Sequence, residues 1–150
     1  MKKYFYETPV GRLGIAESDG KISHVSFFDS LEGEEVETSL IKEAHRQLDE
    51  YFKGNRKVFD LPLLLDGTEF QVKVWKALMT ISYGETVSYG DISRIIGNPK
   101  AARAVGGANN KNKIAIIIPC HRVIGSNKAL TGYAGGLDIK KYLLELEQCY

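Results

Sequence analysis

Short apolar runs broken by turn residues open the chain, and helical spacing follows them. Tyr4-Phe5-Tyr6 and Leu13-Gly14-Ile15-Ala16 read as strands on either side of a turn at Pro9-Val10-Gly11. Asp19-Gly20 is a hairpin signal, and Ile22, Val25 and Phe27 supply the strand after it. Val36, Leu40, Ile41, Ala44, Leu48 and Phe52 then recur at helical spacing until Gly54 ends the pattern. Residues 58–65 read as an extended connector.

The rest of the chain is mostly helical. Thr68 with Gln71 forms a capping box ahead of Phe70, Val74, Ala77, Leu78 and Ile81, with Trp75 packed beside that stripe. Ser88 with Asp91 caps a short helix carrying Ile92, Ile95 and Ile96, which Gly97 closes. Asn98-Pro99 then opens a second helix through Ala108, so the pair reads as a helix-turn-helix. Residues 114–118 form an aliphatic run that reads as a buried strand ending at Pro119. Asp138 is placed to cap a last helix bearing Ile139, Tyr142, Leu143 and Leu146. The class is α+β: an N-terminal strand-and-helix domain over residues 1–66, and a mostly helical domain with the helix-turn-helix over residues 67–150.

Charge adds a partner to this picture. Residues 1–66 hold nine Lys/Arg and thirteen Asp/Glu, a net of −4, whereas residues 67–150 hold eleven and six, a net of +5. No acid lies between Asp91 and Asp138, a window with Arg94, Lys100, Arg103, Lys111, Lys113, Arg122 and Lys128. Such a stretch points to a polyanion, nucleic acid first, or else to a solvated basic face with no partner. The longest aliphatic run is too short to cross a bilayer, and the start of the chain lacks a signal-peptide core, so a cytoplasmic protein without membrane attachment is expected. Two cysteines in a reducing compartment predict no disulfide, and no Cys/His spacing suggests zinc. His24 and His45 read as surface or rim residues.

Candidate chemistry concentrates at Pro119-Cys120-His121-Arg122. A thiol is a nucleophile only as thiolate, which a neighbouring imidazole and a basic environment favour. Adjacent side chains on a strand point to opposite faces, so Cys120 and His121 need a bend or a bridging water to communicate. From the dipeptide alone, a buried structural cysteine beside a backbone-bonded histidine stays open. At the level of the whole chain, so do a helix-turn-helix module without chemistry and a Cys–His hydrolase.

Several spaced motifs agree with one family. Arg103-Ala104-Val105-Gly106-Gly107-Ala108, Pro119-Cys120-His121-Arg122-Val123-Ile124, Gly132-Tyr133-Ala134-Gly135-Gly136, Lys140 and Leu143-Leu144-Glu145-Leu146-Glu147 closely resemble the O6-alkylguanine-DNA alkyltransferases, from about residue 68 to residue 147. The resemblance implies single-turnover repair, in which a methyl or alkyl group passes irreversibly from O6-alkylguanine, with O4-alkylthymine a candidate, to Cys120. It implies a monomer acting on double-stranded DNA without a cofactor. It implies His121 as base through a water, Glu147 orienting His121, and Asn112 bridging the helix-turn-helix to the active-site strand. Tyr89 would rotate a phosphate and help protonate the leaving guanine. Arg103 would fill the gap left by the flipped nucleotide, with Lys100, Ala102 and Gly106 also at DNA. Tyr133, Val123, Ala134 and Lys140 would line the pocket. The chain departs from the family in having Lys113 where Pro is usual, Lys128 where Gly is common, and none of the N-terminal zinc cysteines of some relatives.

Overall fold

Strand β1 (Lys2–Thr8) pairs antiparallel with β2 (Gly11–Ser18), with Tyr4 opposite Ile15 and Tyr6 opposite Leu13. The Asp19-Gly20 turn, with φ of 54° and 74°, returns the chain into β3 (Lys21–Ser26). Both central residues of a type I′ turn need positive φ, which Asp tolerates and Gly adopts freely. A two-residue strand, β4 (Glu34–Glu35), lies parallel to β1 and completes a sheet of order β3-β2-β1-β4. Its exposed acidic residues have no apolar alternation, which hid it from the hydrophobic pattern. Gly33 precedes it at φ 110°, where a Cβ would sit 2.3 Å from the Met1 carbonyl oxygen. A side chain there would push β4 off β1.

Helix α1 (Ser39–Phe52) starts three residues later than the spacing predicts. Thr38 caps it by accepting from Ile41 N–H, while Val36 N–H donates to Lys3 C=O and stays with the sheet. Ile41, Ala44, Leu48, Tyr51 and Phe52 are buried along its inner face, and α1 packs on β1, β2 and β3. Pro62 and Leu64 hydrogen-bond to Ile22, so the connector adds one bridge to the sheet.

Helix α2 (Glu69–Leu78) begins at the predicted Thr68–Gln71 capping box. A short strand, β5 (Val87–Ser88), leads into α3 (Tyr89–Ile95), whose Ser88–Asp91 capping box is also formed. Helix α4 (Ala102–Asn110) starts after Asn98-Pro99 rather than at it, with no side-chain cap at Ala101. Helices α2, α3 and α4 pack on one another. Trp75 is buried among them, and its indole N–H donates to Ala108 C=O at 3.0 Å. One 3₁₀ turn, Cys120–Arg122, is followed by β6 (Val123–Ile124), parallel to β5, and helix α5 (Leu137–Cys149) closes the chain. Asp138 lies in the first turn of α5, where a carboxylate complements the helix dipole, rather than at its cap.

The run at residues 114–118 is buried as expected but is not a strand. Ile114 makes one bridge to Val25, and the chain then turns at Ile116, where φ is 70° and Ile117 N–H closes onto Ala115 C=O at 2.7 Å. A β-branched residue at positive φ is costly, of order 1–3 kcal/mol, and persists only under strong packing. Burial on all sides demands an apolar run whatever the backbone does, so the composition could not separate a strand from a buried turn.

This computed structural model describes residues 1–125 and 132–150, and Lys128 lies outside them. The described residues fall into two compact units. One comprises Met1–Leu64, Lys113–Ile117 and Cys149–Tyr150, and the other Leu65–Asn112 and Ile118–Gln148. No helix among them is long and apolar enough to cross a membrane.

Candidate active site

Pro119 ends the aliphatic run and starts the 3₁₀ turn that carries Cys120, His121 and Arg122, closed by Arg122 N–H to Pro119 C=O at 3.0 Å. A 3₁₀ turn rotates successive side chains by about 120°, which supplies the bend that an extended strand lacks. All three side chains are buried, with Cys120 5% exposed and His121 completely enclosed.

Asn112, just past the end of α4, organises the thiol. Its side-chain amide donates to Ile118 C=O at 2.9 Å and to Cys120 Sγ at 3.2 Å. The amide of Asn109 reaches Cys120 C=O at 3.5 Å. Lys113, in place of the family's usual Pro, has not prevented this tie. Burial pushes the Cys120 thiol up to about 11, against opposing pulls from Asn112 and the Lys140 ammonium. The resting nucleophile is therefore a protonated thiol. The nearby Lys140 charge favours the thiolate, as a basic environment should, but desolvation outweighs it. Both cysteines are free, Cys120 buried and Cys149 exposed.

Helix α5 brings two charged side chains inward, one turn either side of Leu143. Lys140 is fully buried and donates to Val123 C=O at 2.6 Å; burial lowers its affinity for a proton, with Cys120 opposing. Glu147 accepts from His121 Nε2 at 2.6 Å, from Arg122 Nε and Nη2 at 2.8 and 3.2 Å, and from Gly84 N–H at 3.1 Å. The inner face of α5 is thus Lys140–Leu143–Glu147, and the predicted stripe member Tyr142 is exposed. Polar residues with strong partners can occupy a buried face that a hydrophobic pattern assigns to its apolar neighbours.

A carboxylate only accepts, so His121 Nε2 carries the hydrogen and Nδ1 the lone pair. That Nδ1 is buried with no hydrogen-bond partner among the described residues. Burial pushes His121 below the usual histidine range; Arg122 and Lys140 act in the same sense, and Glu147 opposes them. Burial thus favours the uncharged ring, with Nδ1 enclosed. The hydroxyl of Tyr133 is buried, and burial, with Cys120 and Glu147 acting in the same sense, raises it well above the tyrosine range. Ala134, in the turn that follows, is exposed.

The helix-turn-helix forms a separate set. Arg103, Ala104, Gly107 and Asn110 are exposed along α4, while Val105, Ala108 and Asn109 are buried on its opposite face. Lys100 is exposed just before the helix, and Ala102 and Gly106 are half-buried. Tyr89, at the start of α3, lies against Gly106, whose Cβ position would be 3.8 Å from its ring. Two members of the basic window are not open cations. Arg94 pairs with Asp91, and Arg122 is enclosed on Glu147.

In the sequence Arg122 stands both in the basic window and in the Pro119-Cys120-His121-Arg122 motif, with no role of its own assigned. Nothing in the sequence signals its role, because its carboxylate partner is 25 residues away. In the first unit, His45 is half-buried against Tyr6, with ring centroids 3.8 Å apart, which suits a rim position.

Residues 1–65 match the family described as 6-O-methylguanine DNA methyltransferase, ribonuclease-like domain, and residues 69–149 match 6-O-methylguanine DNA methyltransferase, DNA binding domain. The chain is 53% identical over 148 residues to a methylated-DNA--protein-cysteine methyltransferase of Methanosarcina acetivorans, covering 95% of each chain. It is 50% identical over 152 residues to the constitutive methylated-DNA--protein-cysteine methyltransferase of Bacillus subtilis, covering 95% of this chain and 92% of that one. It is also similar to the crystal structure of Mycobacterium tuberculosis OGT in complex with DNA. That likeness has a TM-score of 0.93 at 45% identity and covers 99% of this chain and 94% of the other.

Proposed function

The chain belongs to the 6-O-methylguanine DNA methyltransferase family, and from that premise we propose that it repairs duplex DNA by taking the alkyl group of an O6-alkylguanine onto Cys120, once per molecule. The observation that carries this reading is the buried thiol beside a neutral His121, itself held on Glu147, with Asn112 donating to the sulfur.

The steps balance without a cofactor. The flipped guanine presents its O6-methyl carbon to Cys120 Sγ. The thiol proton passes through a water to His121 Nδ1, the S–C bond forms, and the C–O6 bond breaks. Its electron pair stays on the purine, which takes up a proton with Tyr89 assisting and becomes guanine. Asn112 steadies the developing thiolate by its hydrogen bond, and the Lys140 charge acts in the same sense. The product is a thioether with no good leaving group, so the protein is consumed.

The target atom lies inside a duplex, and extruding its nucleotide costs a few kcal/mol. Arg103 on the exposed face of α4 fills the gap. Lys100 approaches the phosphates, and the small Ala102 and Gly106 allow close backbone approach. Tyr133, Val123, Ala134 and Lys140 line the pocket. A division of labour between residues 1–66 and 67–150, with the chemistry in the second, and a cytoplasmic monomer complete the proposal; two free thiols suit a reducing compartment.

The test is incubation with a duplex carrying one O6-methylguanine, followed by intact-mass and peptide analysis. One added methyl on the peptide of Cys120 is expected, none with Cys120→Ala, and an undiminished yield with Cys149→Ala. An unmodified protein, or a methyl on Cys149, overturns the reading.

A further inference from the structure

Glu147 has more partners than the orientation of one imidazole requires. Arg122 grips it through two hydrogen bonds, and Gly84 N–H holds the same oxygen as Arg122 Nε. Arg122 is itself fixed, because Nη1 donates to Ile81 C=O at 2.8 Å and the guanidinium lies 5.6 Å from the centre of the Tyr83 ring. The carboxylate is thus immobilised and largely neutralised by groups other than histidine.

We infer that Arg122 is a positioning residue for the transfer: it fixes the Glu147 carboxylate and balances its charge, so that His121 remains an unprotonated base with Nδ1 open to the Cys120 proton. This rests on the reading of Cys120 as the alkyl acceptor.

A buried carboxylate whose sole partner is an imidazole draws a proton onto the ring, since an opposite charge at contact distance favours the charged form. A doubly protonated His121 would have no lone pair for the thiol proton. The charged groups that act on His121 are Glu147 and Lys140 from α5 and Arg122 from its own turn, and beyond them the buried Tyr133 hydroxyl interacts with Cys120 and Glu147. Glu147 favours the imidazolium, while Arg122 and Lys140 disfavour it. Arg122 is bonded directly to the carboxylate that His121 uses. Its planar fork matches both carboxylate oxygens at once, which an ammonium cannot do.

A purely architectural role would make Arg122 matter for folding and for rate at every pH alike. Single-turnover methyl transfer measured against pH separates the two. In the wild type the rate falls on the acid side, where His121 takes up a proton. Arg122→Gln leaves Glu147 unbalanced, and its acid limb should move up by at least about one pH unit. Arg122→Lys keeps the charge, so its limb should stay with the wild type while the rate drops several-fold. One common acid limb for all three proteins overturns the inference. The wild-type protein gives a second test that no folding defect can obscure. Nitrogen NMR of His121 should show a neutral ring with hydrogen on Nε2 at neutral pH, and an imidazolium there overturns the inference equally. Wild-type protein that takes up no methyl would instead defeat the reading of Cys120 and leave the ring assignment standing.

Discussion

Cys120 keeps its proton at neutral pH because an enclosed sulfur has little to solvate its anion. Titration of the thiolate absorbance should give a midpoint near 11, and Cys149→Ala should leave that midpoint in place. The same shift bears on stability. The folded-state value lies above the unfolded one, so the contribution is complete below the unfolded value and is lost as pH rises through the folded one. Melting temperature should therefore fall between about pH 9 and about pH 11, less so in Cys120→Ala; equal declines would show the thiol to be solvated. Glu147 carries a different burden. Glu147→Gln leaves Arg122 enclosed without its counter-charge, and breaking a buried pair in this way costs about 3–5 kcal/mol. Denaturant unfolding should report most of that loss, and a change under about 1 kcal/mol would mean that water reaches the pair.

At the scale of elements, α2 and α4 are tied at one point inside the second unit by the Trp75 indole and the Ala108 carbonyl. Trp75→Phe keeps most of the ring but removes the indole donor, while Ala108 C=O keeps its bond from Lys111 N–H, so the loss of one hydrogen bond should cost about 0.5–1.5 kcal/mol. Equilibrium unfolding checks this, and an unchanged midpoint would show that the indole bond contributes nothing to stability. The opposite face of α4 is solvent-exposed and carries Arg103. Arg103→Ala should slow transfer from duplex DNA at least about tenfold, while transfer from the free alkylated base stays near wild type, since only the duplex demands extrusion. Equal losses on both substrates would give Arg103 a role in the fold instead.

Across the whole molecule the chemistry is drawn from distant stretches of chain. Asn112 follows α4, Cys120 to Arg122 share one turn, and Lys140 and Glu147 come from α5. Cys120 is buried, 5% exposed as a residue, with an amide 3.2 Å from its sulfur. A methyl group on it must displace that amide, and overpacking of this kind costs about 1–3 kcal/mol. The spent protein should melt several degrees below the unreacted one, and a benzyl adduct lower still. Identical melting temperatures would mean that the pocket accepts the adduct without strain.

The elements that follow from local rules were legible in the sequence. Thr68–Gln71 and Ser88–Asp91 cap helices because each box closes within four residues, and Asp19-Gly20 turns a hairpin through its own backbone preferences. Pro119-Cys120-His121-Arg122 marked the candidate site by motif. Other features depend on residues far along the chain, and the tertiary structure alone decided them. Lys113–Ile117 joins the first unit and turns at Ile116 instead of forming a strand, because burial constrains its composition and its neighbours constrain its backbone. Glu34–Glu35 is a strand only because Lys2 and Lys3 lie alongside. The motif contained Arg122 but gave it no partner, and Glu147, 25 residues away, draws it inside. The protonated thiol of Cys120 is likewise a product of packing, since the solvation of a charge is set by what surrounds it in space and not by its neighbours in sequence.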